Sequence, residues 1–165
     1  MQATASAKRV REHTSDSINN RIVEETRERI EYYSAHPEKI DERLEELDRE
    51  WDTERLLETN AGTLMVAGTL LGAFVSKRWL LLSATVGGFL VQHGVQGWCP
   101  PLPVLRRMGV RTPREIEAER YALMSIRGDF EKLEGDPAER AEAAADATGR
   151  LEPVDHTLEY RSSRA

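Results

Sequence analysis

The stretch AGTLMVAGTLLGAFV, Ala61 to Val75, is followed after Ser76, Lys77 and Arg78 by WLLLSATVGGFLVQHGVQGW, Trp79 to Trp98. Neither run holds Asp, Glu, Lys or Arg, and how the two are read decides the fold. At 1.5 Å per residue a helix over the second reaches about 30 Å, the thickness of a hydrocarbon core. One over the first reaches about 22 Å unless Thr59, Asn60 and Ser76 extend it. Trp79 and Trp98 bracket the second run where amphipathic rings sit at membrane interfaces. Neither run has the polar face of a surface helix, and a small protein has little room to bury two helices on all sides. The expectation is a membrane helical hairpin; a soluble all-helical interaction module with the hairpin buried is the alternative.

The distribution of charge sharpens this. Residues 1–58 hold 10 Lys or Arg against 16 Asp or Glu, whereas residues 59–114 hold six basic residues and no acid. Those six are Lys77, Arg78, Arg106, Arg107, Arg111 and Arg114. Arg43, Arg49 and Arg55 before the hairpin and four of the arginines after it outnumber Lys77 and Arg78 in the turn. Both termini are therefore expected in the cytoplasm. Lys77, Arg78, Arg106 and Arg107, with Trp79 and Trp98, are the expected membrane-interface residues, and the lipid bilayer is the expected partner. A net charge of -6 argues against nucleic acid as a partner. The first residues, MQATASAKRVREHTS, lack the apolar segment of a secretory signal.

Small and amide residues indicate how the helices meet. Gly68 and Gly72 form a small-xxx-small pair on the face of Ala61, and Thr85, Gly88, Gln92 and Gln96 form a stripe on the second helix. The amides are expected to point away from lipid, toward the other helix or a second subunit.

Two short glycine-rich helices, with the second ending in Gly97-Trp98-Cys99-Pro100, resemble the YgaP-like two-helix transmembrane family of bacterial inner-membrane proteins. The resemblance covers about Asn60 to Gly109. It implies inner-membrane topology and a tendency to self-associate into a homo-oligomer. Some members carry a rhodanese domain, but this chain lacks a second cysteine and an alternating strand and helix pattern, so sulfur transfer is not implied.

The expected architecture is all-α, a membrane hairpin flanked by cytoplasmic amphipathic helices. Residues 1–14 form a disordered lead and 15–58 a charged amphipathic helical hairpin. Residues 59–100 form the membrane hairpin, 101–134 an interfacial turn and amphipathic helix, and 135–165 an alanine-rich helix with a disordered tail. Ile40, Leu44, Leu47 and Trp51 make a short heptad seam suited to folding back or to a coiled coil with another copy. Thr112-Pro113-Arg114-Glu115 reads as a capping box, opening a helix whose apolar face is interrupted by Glu119.

Chemistry is sparse. Cys99 is the one weak catalytic candidate, with Arg106 or Arg107 as a possible source of the cation that favours thiolate. His93 and Cys99, six apart, fall on different faces of a continuous helix, and zinc needs about four ligands, so no metal and no cofactor are expected. The function expected is a self-associating integral membrane scaffold or anchor without catalytic activity of its own and with room for a cytoplasmic protein partner. A thiol- or sulfur-handling protein centred on Cys99 is an alternative.

Overall fold

A computed structural model describes residues 6–131 together with 140, 143 and 144. Regular structure among these residues is helical throughout: α1 (Ser6–Glu12), α2 (Asp16–Ala35), α3 (Ile40–Arg49), α4 (Thr53–Phe74), α5 (Leu80–Gln96), α6 (Leu102–Arg107) and α7 (Pro113–Arg127). Single 3-10 turns at Pro37–Lys39 and Lys77–Trp79 lead into α3 and α5. The chain divides into two compact units, Met1–Leu123 and Met124–Ala165. Within the second, α7 ends at Arg127, which pairs with Asp129, and Gly128 follows with a φ of 89° that allows the left-handed cap. The expected alanine-rich helix and tail lie outside the described residues apart from 140, 143 and 144, which are helical.

Local chemistry sets the ends of the elements. Asp52 caps α4, its carboxylate accepting the N–H of Arg55 at 2.8 Å. In the capping box of α7 the Thr112 N–H donates to Glu115 Oε2 at 2.8 Å and the Glu115 N–H to Thr112 Oγ1 at 3.4 Å. α5 stops earlier than its apolar run suggests. Gly97 takes φ +74° and donates its N–H to the His93 carbonyl at 2.7 Å, and Pro100 and Pro101 follow. The helix is therefore 17 residues, about 25 Å, and does not continue to Trp98. Among the described residues no helix is long and apolar enough to cross a membrane.

α4 and α5 pack back to back. A Cβ on Gly68 would lie 2.6 Å from Ser83 Oγ and 3.2 Å from its backbone nitrogen, and one on Gly72 would strike the Leu80 side chain. Ser83 Oγ donates to the Met65 carbonyl at 2.9 Å and lies 3.2 Å from Thr69 Oγ1, so its hydroxyl is satisfied across the contact. The glycines set the approach; without them the helices would stand further apart.

The charged helices fold within the chain. Ile40, Leu44 and Leu47 of α3 are buried, so of the two uses expected for the seam, folding back or pairing with another copy, it is the first that covers it here. Trp51 leaves it: α3 ends at Arg49, and the indole lies 44% exposed under the Arg55 guanidinium, 4.4 Å from the ring centre. The lead expected to be disordered over residues 1–14 instead forms α1 from Ser6. Val10 is fully buried in a cluster with Leu57, Cys99 and Leu102, and burying that side chain offsets the entropy of ordering a short polar helix.

Candidate functional site

The expected site residues divide between the tip and the base of the α4–α5 hairpin. At the tip, Lys77, Arg78 and Trp79 are exposed. Along the shaft, Gly68 and Gly72 are in the helix contact, whereas a Cβ at Gly88 would meet nothing within 4 Å. Gln92 Nε2 lies 3.4 Å from Gln96 Oε1, and Gln96 is exposed. Gly88 and Gln96 are therefore not brought into the α4–α5 contact. Ser83 and Gly87 are the small residues of α5 that face Gly68 and Met65. They lie one turn apart on α5, on the face next to the stripe of Thr85, Gly88, Gln92 and Gln96.

The base is where the elements converge. Arg9 of α1 donates from Nη2 to the Gly94 carbonyl at 2.9 Å, placing a cation at the C-terminal end of α5. A Cβ on Gly97 would collide with the Cβ and backbone of Arg9, so α1 can lie there only against glycine. At the foot of α4, the Thr53 N–H donates to the Arg111 carbonyl at 2.9 Å, joining the hairpin to the segment that leads into α7.

Cys99 sits inside this junction, 3% exposed, among Val10, Leu57 and Leu102, with Trp98 and Leu105 packed on the cluster. Burial pushes its thiol up, and the hydrogen bond from the Leu102 backbone only partly offsets that. The cation expected beside it is engaged elsewhere. Arg106, expected at the lipid interface, is fully buried and donates from Nη1 to Glu115 Oε2 at 2.7 Å and to the Val110 carbonyl at 3.0 Å. Its Nη2 donates to Glu115 Oε1 at 2.9 Å and to Asn19 Oδ1 at 3.0 Å. The carboxylate fork of Glu115 and the Asn19 amide oxygen offset the cost of taking this guanidinium out of water. Arg107 is exposed, and its carbonyl accepts from Arg21 Nη2 at 2.8 Å. Trp98 is half-buried rather than presented at a surface.

A second buried cluster went unseen in the sequence. Glu119, fully buried on α7, accepts from Arg43 Nε at 2.8 Å, from Arg29 Nε at 3.2 Å and from Arg111, while Arg111 also donates to both Glu50 oxygens at 2.7 and 2.5 Å. Burial raises the Glu119 carboxyl, but the hydrogen bond from Arg43 and the charge of Arg111 outweigh it and hold it below the usual carboxylate range. Glu115 is lowered likewise, burial again opposed by Arg106 and the Thr112 N–H. The signal was Glu119 itself, one acid interrupting an apolar face. The end of α3 supplies two further partners: Glu50, its C-cap, and Asp48, which lies 2.6 Å from Arg120 Nη2.

His93 is the other surprise. The helix ends at Gln96 and the chain turns at Gly97, so His93 and Cys99, expected on different faces, line one apolar cavity with Leu57, Leu64, Phe89 and Leu105. The imidazole is 7% exposed, and neither ring nitrogen has a hydrogen-bond partner.

Neither a curated protein nor a solved structure matches the chain. From Asp52, the cap of α4, to Arg114 in the first turn of α7, residues 52–114 match the family described as inner membrane protein YgaP-like, transmembrane domain, so the resemblance drawn from the Gly97-Trp98-Cys99-Pro100 segment holds over the hairpin and its base.

Proposed function

We propose that the protein is an integral membrane scaffold in which the α4–α5 hairpin is the anchor and α1 to α3 with α7 form a charged helical platform at its base. One observation carries this reading. Of 18 large apolar side chains exposed among the described residues, 12 lie between Leu64 and Val95, on the outer faces of the hairpin; Phe74 is 83% exposed. A surface of that size and continuity needs an apolar solvent. It also weighs against a soluble module with the hairpin buried, since the other described residues leave those faces uncovered.

Each leg is short for a bilayer. The uncharged part of α4 from Thr59 to Phe74 is about 24 Å and α5 about 25 Å, or about 31 Å with the 3-10 turn that carries Lys77 and Arg78. Local thinning of the bilayer and the reach of those two side chains from the tip accommodate the difference. In this reading the anchor lies in the inner membrane, which the family match supports, with both termini cytoplasmic and the tip outside, which the excess of arginines at the base favours.

Self-association uses the α5 face that bears Thr85, Gly88 and Gln96, because Gly68 and Gly72 are spent within the chain and the α3 seam is covered. The chain has no catalytic activity of its own in this reading; the buried, raised thiol of Cys99 favours packing over thiolate chemistry. The test is labelling of Ser76→Cys in a Cys99→Ser background with a membrane-impermeant maleimide on spheroplasts. Labelling of intact spheroplasts is expected; labelling only after lysis contradicts the orientation.

A further inference from the structure

The cavity at the hairpin base measures about 440 Å³, within the range of small-molecule sites, and its walls are apolar apart from Asn60, His93 and Cys99. Asn60 is exposed to solvent, and its Nδ2 donates to the Leu56 carbonyl at 2.7 Å, so its amide is not left buried without partners. His93 differs: both ring nitrogens are buried without a partner, which is costly for an imidazole held in an apolar wall. Its other side faces a smaller recess lined by Glu54 and Glu58, with Leu90 shared between the two. The histidine thus stands between a pair of carboxylates and an apolar chamber.

This arrangement constrains an occupant. The walls exclude a charged head, and Glu54 and Glu58 behind the imidazole further disfavour an anion. A neutral imidazole offers one N–H donor and one acceptor, which suits a carbonyl or hydroxyl oxygen. We propose that the cavity is a binding site for a neutral, carbonyl-headed apolar molecule, with the His93 ring donating to the carbonyl oxygen and Leu57, Leu64, Phe89 and Leu105 enclosing the apolar body. The site depends on the junction of α4, α5 and α6 and not on the orientation or self-association of the hairpin. A quinone and a glyceride share this chemistry, and both are carried by membranes.

The sole cysteine of the chain lines the cavity, so occupancy can be read at Cys99. The full chain in detergent micelles is treated with N-ethylmaleimide while a fully substituted benzoquinone with a decyl tail, monodecanoylglycerol or decanoate is titrated. Either neutral compound is expected to slow alkylation at least fivefold and saturably, and whichever half-saturates lower identifies the source. Decanoate is expected to protect far less. His93→Phe, which keeps the bulk, raises the half-saturating concentration about five- to tenfold, and His93→Gln, which restores a donor, recovers most of it. Thermal unfolding followed by circular dichroism gives the same ordering as ligand-induced rises in Tm, and stands alone if Cys99 alkylates too slowly to follow. Saturation by neither neutral compound, equal protection by decanoate, or identical half-saturation in His93→Phe and the unsubstituted chain overturns the proposal.

Discussion

Arg106 and Glu115 meet through two parallel hydrogen bonds, Nη1 to Oε2 at 2.7 Å and Nη2 to Oε1 at 2.9 Å, and the same Oε2 accepts the Thr112 N–H at 2.8 Å. One carboxylate thus starts α7 and neutralises an arginine from the acid-free segment. Through Asn19, which bonds Arg106 and donates to the Arg11 and Thr14 carbonyls at 2.9 and 3.2 Å, the pair also holds the turn between α1 and α2. The platform is therefore clamped to the hairpin base by charge as much as by apolar packing.

Acid should loosen this clamp. Glu115 and Glu119 have carboxyls held below the ordinary value of 4.5 in the folded chain. Their stabilisation is fully present above that value and is lost as pH falls through the depressed folded values. Melting temperature followed by circular dichroism in micelles is expected to drop steeply below about pH 4.5. A melting temperature unchanged at pH 3 contradicts the clamp.

Removing one partner from the buried cluster should cost more than removing an exposed pair. Glu119→Gln leaves Arg43 and Arg111 without their shared carboxylate and is expected to destabilise by about 3 kcal/mol. Glu45→Gln breaks an exposed pair with Arg49 and is expected to change stability by less than about 1 kcal/mol. Equal effects in denaturant titrations would mean that Glu119 contributes no more than a surface group.

The glycines should separate into two classes. Gly68→Val forces a branched side chain against Ser83 and is expected to cost about 1–3 kcal/mol. Gly97→Ala adds a clash with Arg9 to a left-handed conformation that costs an L-residue about 1–2 kcal/mol. Gly88→Ala meets open space and is expected to leave the monomer fold within about 1 kcal/mol of the parent. The same Gly88→Ala should weaken any dimer seen by cross-linking, because it fills the face assigned to the second copy.

Cys99 should behave as a packed side chain. With burial raising its thiol, alkylation by iodoacetamide at pH 8 is expected to be at least tenfold slower in the folded chain than after unfolding. A folded-state rate equal to that of a free thiol would restore Cys99 as a reactive centre.

The sequence showed the hairpin and the capping box because both are written in contiguous residues: uncharged runs, and Thr112 three positions before Glu115. What it hid depends on distance along the chain. Arg106 reads as a headgroup ligand until Asn19, 87 positions away, is brought beside it. Val10 reads as part of a polar lead until Leu57 and Cys99 cover it. His93 and Cys99 shared no face on a continuous helix, and they came together because Gly97 turned the chain one residue after α5 ended. The heptad seam of α3 was legible, but its partner was not, since an apolar stripe is the same whether its own chain or another covers it.

In the proposed anchor, lipid surrounds the outer faces of α4 and α5. Alkaline carbonate extraction of membranes from cells producing the full chain tests it most directly. The protein is expected to stay with the membrane pellet, and Phe74→Glu combined with Leu81→Glu should release a large share of it. Recovery of the unsubstituted chain in the carbonate supernatant would contradict the claim.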